Sequence, residues 1–288
     1  MNSIKEQNHG SIPGDSLPVT LIAPRRGLVS LGLRELFNYR ELLFFLAWKD
    51  VKVHYKQAAF GVAWAVLQPL LIMVVFSFVF GRVAMLPSQG IPYPVFTFAA
   101  LLPWQLFAGA LARSSTSLVS NSNLITKVYF PRLVIPIAAA ASGLVDFAVS
   151  LVVLVGLMFW YGIVPTWSLL ALPVFTGMAL VSSLAISFWL SALNVRYRDV
   201  QYAVPFLIQA WMFLSPVAYT GNLVPKGFWR ILYSFNPMAG VIDGFRWALL
   251  GAAFPSAGLL VSFVSVTVLA AGGLVYFKSM ERSFADVV

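Results

Sequence analysis

No charged residue occurs between Gln57 and Gly81, between Val83 and Ala112, between Gln201 and Pro225, or between Trp247 and Phe277. From Arg132 to Arg196 only Asp146 interrupts. A water-soluble core does not accommodate so many long uncharged runs, whereas a bilayer requires about 20 apolar residues for each crossing. Composition agrees: 60% of the 288 residues are hydrophobic and 10% are charged, against about a quarter charged in soluble domains. The runs predict six spans, at about 61–81, 93–113, 134–160, 169–193, 202–221 and 257–277. The fold class is therefore an all-α integral membrane protein.

An even number of spans puts both termini on one side. Fifteen of the 19 Lys and Arg residues fall in the segment up to residue 60, the 113–132 elbow, the 196–198 turn and the C-terminal end. The alternate connections carry the other four, Arg82, Lys226, Arg230 and Arg246. The excess of cations on cytoplasmic connections predicts that both termini and the elbow are cytoplasmic. Residues 1–30 have no early apolar stretch, so no cleavable signal peptide is expected. Pro13, Gly14, Pro18, Pro24 and Gly27 there predict an irregular cytoplasmic tail.

Two segments read as neither span nor loop. In 31–57, Arg34, Asn38, Glu41, Lys49, Lys52 and Lys56 form one helical stripe, and Leu33, Phe37, Phe44, Trp48, Val51 and Tyr55 form another, broken by Arg40. This predicts an amphipathic helix, resting on anionic lipid or also touching a cytosolic partner. In 222–251, Pro225 and Pro237 divide the chain into two helices too short to span, with Asn236 capping the second. Asp243 and Arg246 are placed to pair on one face. The segment reads as an interface anchor or as a lid at the outer mouth of a conduit.

The chemistry is marked by what is missing. There is no cysteine, no H-E-x-x-H pair, no phosphate-binding loop and no G-x-S-x-G elbow. No metal site, no catalytic residue and no cofactor of its own are expected. Asp146 is the one acid inside a span and is expected to face protein or water. A structural contact, a hydrated conduit and a proton relay in a stand-alone carrier are its three readings. The 43 aromatic residues cluster near the predicted interfaces, with Trp64, Trp104, Trp211 and Tyr219 among them. They read as an interfacial belt or as ring faces for sugars. The elbow "NLITKVYFPRLVIP" sets Tyr129 and Phe130 between Lys127 and Arg132, with Asn123 as a helix cap. Such a cluster suits a protein partner; the alternative is a plain inside-positive loop that touches only lipid headgroups.

These segments together resemble one family. "YKQAAFGVAWAVLQPLL" (55–71), "LLPWQLFAGAL" (101–111), the elbow, "LNVRYRDV" (193–200), "SPVAY" (215–219) and "NPMAGVIDGFRWALLG" (236–251) are similar to the permease subunits of type-2 ABC exporters for cell-surface polysaccharide. These are the O-antigen, capsule and teichoic acid exporters. The resemblance implies two permeases and two cytosolic ATPase subunits, with ATP and Mg on the partner. It also implies a homodimeric channel for a lipid-linked glycan in the bacterial inner membrane, and no part for nucleic acid. It makes Asn123, Lys127, Tyr129, Phe130 and Arg132 the ATPase-coupling element, and Arg40, Trp48, Lys49, Lys52 and Lys56 part of an interface helix. Trp229, Tyr233, Phe235, Asp243, Arg246 and Trp247 become external gate residues. Asp146, Trp64, Trp104, Trp211 and Tyr219 become channel candidates. A drug or lipid exporter and a proton-coupled carrier using Asp146 are the alternatives.

Overall fold

The structure, a computed structural model, describes residues 33–56, 63–225, 227–254, 256–281 and 284. The tail at 1–30 and the first two residues of the 61–81 span lie outside them. Every regular element among the described residues is helical.

Helices α1 (Leu33–Asn38) and α2 (Arg40–Lys56) are followed by α3 (Ala63–Phe76), which runs on as a wider π-helical turn to Val83. Then come α4 (Tyr93–Ser120), α5 (Ser122–Lys127), α6 (Val134–Ala141) and α7 (Gly143–Trp160). Next are α8 (Leu172–Arg196), α9 (Val200–Leu214), α10 (Phe228–Ser234), α11 (Pro237–Leu250) and α12 (Ser256–Met280). Five helical stretches are long and apolar enough to cross a bilayer: Ala63–Val83, Tyr93–Ser120, Val134–Trp160, Trp167–Arg196 and Gly258–Met280.

The expected fifth span, 202–221, is helical over only part of its length. Its helix α9 has 15 residues and stops at Leu214. Pro216 disfavours helical backbone at the residue before it, and Ser215 is extended, with φ −101° and ψ 151°. The apolar run continues through Val217 and Ala218, but as non-helical chain.

Helix α4 is the axis. Val95 to Trp104 is buried without a break, because α3, α6, α7, α8, α9 and α11 all touch this helix. Its partner α8 offers small hydroxyl residues, Ser182, Ser183, Ser187 and Ser191, all buried. Small side chains let helices approach closely where lipid supplies no hydrophobic drive. One cross-link is polar: Asn194 Nδ2 donates to the Ser115 carbonyl at 3.2 Å.

Three residues of the expected apolar stripe of the amphipathic segment turn outward. Phe37, Phe44 and Trp48 are exposed, and Phe44 stacks on Trp48. The face toward the protein is instead Leu36, Tyr39, Leu43 and the buried Leu46, part of a cluster with Ile135 and Ala138 of α6. Apolar residues occupy more than one side of this helix. Sequence spacing alone therefore picked the outward face.

Candidate functional site

Three clusters hold the predicted site residues. The first is the elbow between α4 and α6. Asn121, not Asn123, takes the cap position of α5. Its side chain does not cap: Nδ2 donates to the Ser117 carbonyl at 2.9 Å, and Oδ1 accepts from Lys49 Nζ at 3.2 Å. Asn123 sits exposed in the first turn. Lys127, Val128 and Tyr129 are exposed, Tyr129 at 87%.

Phe130 and Arg132 face inward, against expectation. Phe130 is 5% exposed and packs in a cluster with Leu118, Ile125, Phe188, Phe277 and Phe284. The chain leaves α5 at Val128, which is extended with φ −130° and ψ 134°, and two residues later Phe130 enters the cluster. Arg132 is engaged by the C-terminal end of α12. Its backbone N–H donates to Glu281 Oε1 at 3.3 Å, and its guanidinium donates to the Glu281 carbonyl. Glu281 in turn accepts from Lys278 at 2.7 Å. A groove of about 690 Å³ beside the elbow is lined by Tyr39, Lys127, Tyr129 and Lys278.

The second cluster joins three helices around Asp146. The Tyr55 hydroxyl of α2 donates to Asp146 Oδ1. Arg113 of α4 lies 3.8 Å from Asp146 Oδ2, and its Nε donates to the Ala139 carbonyl at 3.3 Å. Burial and this hydrogen bond to a carboxylate both push the Tyr55 phenol up from its ordinary value. Gly143 makes room for Arg113, since a Cβ there would overlap the guanidinium. Asp146 thus has partners within the protein, and it also lines two cavities. Sequence reasoning sought a second acid or histidine and missed Tyr55 and Arg113. Opposite charges on successive spans were the available signal.

The third cluster lies at the opposite end of the bundle. Asn236 caps α11, its Oδ1 accepting from Met238 N at 3.0 Å, with Pro237 in the first turn. Gly251 closes the helix in the left-handed region at φ 67°, where a side chain would be strained. Arg246 and Asp243 approach to 3.8 Å as expected. Arg246 is 3% exposed, lies 3.7 Å over the Phe96 ring, and donates to the carbonyls of Val217 at 3.0 Å and Tyr219 at 3.1 Å. Burial pushes the Asp243 carboxyl up, offset in part by Arg246. Trp247 meets Phe175 and Phe254 edge-on, while Trp229 and Phe235 are exposed.

Of the channel candidates, Trp64 and Asp146 line one cavity. Trp104 is core, 3% exposed, against Phe107. Trp211 also packs edge-on to Phe107 and donates to Asn236 Oδ1 at 3.1 Å. Tyr219 donates to the Phe213 carbonyl at 3.3 Å, and Trp64 is exposed on α3. Among the interface-helix residues, Arg40 lies over Phe37 and Lys52 over Trp48, while Lys56 is exposed.

A long-helix bundle with a polar elbow at one end and two short helices at the other defines a multi-pass membrane permease. The chain belongs to the ABC-2 type transporter family, which matches residues 41–250. It is 32% identical over 261 residues to the O-antigen export system permease protein RfbA of Myxococcus xanthus, covering 89% of this chain and 98% of that protein. It is 30% identical over 250 residues to the protein of the same name from Klebsiella pneumoniae, covering 86% and 95%. The polysialic acid transport protein KpsM of Escherichia coli is 22% identical over 249 residues, covering 82% and 92%.

Proposed function

We propose that this chain is the permease of an ATP-driven exporter that moves a lipid-linked, O-antigen-like polysaccharide outward. It acts as a homodimer, in the bacterial inner membrane, with both termini and the elbow cytoplasmic. Two separate ATPase subunits hold ATP and Mg and dock on the elbow; this chain carries no catalytic residue. The observation that carries the reading is similarity over nearly the whole chain to permeases named for O-antigen export. The exposed Lys127–Tyr129 ledge supports the docking site. The driving step is a change of state in the permease, biased by nucleotide on the partner.

Deletion of the gene is the test of cargo. Glycan is expected to accumulate inside the cell while the surface loses it, and unchanged surface glycan would overturn the reading. Topology is tested separately. The chain has no cysteine, so Lys127→Cys provides a single label site. Labelling by an impermeant maleimide is expected in inverted vesicles and not in intact cells; the reverse pattern would overturn the orientation.

A further inference from the structure

We propose that the cavity walled by α10, α11 and the first turns of α12 binds one saccharide unit, with Asp243 and Tyr233 as its principal contacts. It encloses about 450 Å³, toward the small end of the roughly 300–1,000 Å³ typical of small-molecule sites. That suits a single sugar unit rather than a chain.

The wall sets hydrogen-bond acceptors beside donors. Asp243 accepts no hydrogen bond among the described residues; Arg246 Nη1, its ion-pair partner among them, stands at 3.8 Å, too far to satisfy it. The Tyr233 hydroxyl and Arg246 Nε are buried and have no hydrogen-bond partner among the described residues. Unanswered groups of this kind cost free energy until something pairs with them. Arg230 is fixed at the rim, donating to the Gly221 carbonyl at 2.6 Å. Thr220 and Asn222 add a hydroxyl and an amide.

This mixture selects against simple ions. A phosphate would suit Arg230 and Arg246 and would meet Asp243 as a like charge. A metal cation would suit Asp243 and would meet two guanidinium groups. A sugar hydroxyl donates and accepts at once, so a neutral polyol answers the carboxylate, the phenol and the guanidinium together. Phe254, which also lines the cavity, offers apolar surface to the ring carbons. The choice of a saccharide among polyols rests on the glycan-cargo reading above.

The test uses the full chain in lipid nanodiscs and saturation-transfer NMR. The probes are the methyl glycosides of glucose, galactose, mannose, rhamnose and N-acetylglucosamine. Saturation transfer to at least one glycoside is expected, unaffected by excess inorganic phosphate. Tyr233→Phe and Asp243→Asn are each expected to weaken it about tenfold, the effect of losing one hydrogen bond that involves a buried polar or charged group. Asn222→Ala, at the exposed rim, is the third variant should either of the others unfold, and it is expected to weaken binding too. Absence of transfer to all five probes, displacement by phosphate, or unchanged affinity in the folded variants would each overturn the proposal. Such a failure with glycan export intact leaves the cargo reading standing. Loss of the cargo reading leaves a measured glycoside affinity untouched.

Discussion

The Tyr93 hydroxyl and the Arg246 guanidinium hold three successive backbone carbonyls, Tyr93 taking Ala218 at 2.5 Å and Arg246 taking Val217 and Tyr219. These carbonyls are bare because α9 stops short at Leu214. Backbone groups buried away from water need partners, and here side chains from α4 and α11 provide them.

The planar fork of Arg246 is what allows two carbonyls and one ring face to be met at once. A lysine is a point charge without that geometry. Arg246→Lys is expected to cost about 2–3 kcal/mol of stability, and Tyr93→Phe about 0.5–1.5 kcal/mol. Thermal unfolding of the solubilised protein measures both, and equal or negligible losses would contradict the clamp.

If the ATPase docks on the elbow as proposed, Tyr129 and Phe130 separate docking from folding. Tyr129→Ala removes an exposed ring and is expected to leave the fold intact while weakening co-purification with the ATPase at least tenfold, about 1.4 kcal/mol. Phe130→Ala empties part of a packed cluster and is expected to cost about 3–5 kcal/mol of stability. If Phe130→Ala left unfolding unchanged and only weakened the complex, the inward placement of this ring would be wrong.

Gly143 and Arg113 are coupled. Gly143→Ala introduces a methyl where the guanidinium lies, so it is expected to disturb the pairing with Asp146. In an Arg113→Ala background the same change is expected to be nearly silent. The double-mutant cycle should show an interaction of about 0.5–3 kcal/mol; strict additivity would argue that the two positions do not meet.

Much of this fold can be read in the sequence for one physical reason: hydrocarbon imposes length and apolarity on every crossing. The runs around α3, α4, α7, α8 and α12 reveal themselves that way, and Asn236-Pro237 marks the start of α11 by its capping chemistry. The resemblance of the elbow and of 236–251 to polysaccharide-exporter permeases added the functional frame, which periodicity could not. Failures came where apolarity stops being informative. Val217 and Ala218 are as greasy as a span, so hydropathy passes over the break that Pro216 imposes. On α2, leucines and aromatics lie on opposite faces, so composition does not tell protein from surroundings. Phe130 and Tyr129 look alike as aromatic neighbours, and only the tertiary packing tells the buried one from the exposed one. Asp146 stood out as an isolated charge, yet its partners lie 91 and 33 positions away and needed the tertiary fold to be seen.

Helix α2 is fastened at two points, by Lys49 to Asn121 at the elbow and by Tyr55 to Asp146 in the bundle. On the proposed docking at the elbow, α2 would act as a strut between the segment the motor pushes and the bundle around Asp146. Phe37, Phe44 and Trp48 stand on its outward side, so any movement of the elbow would carry these rings with it. On the proposed orientation they would move through the headgroup layer, whose viscosity would slow turnover.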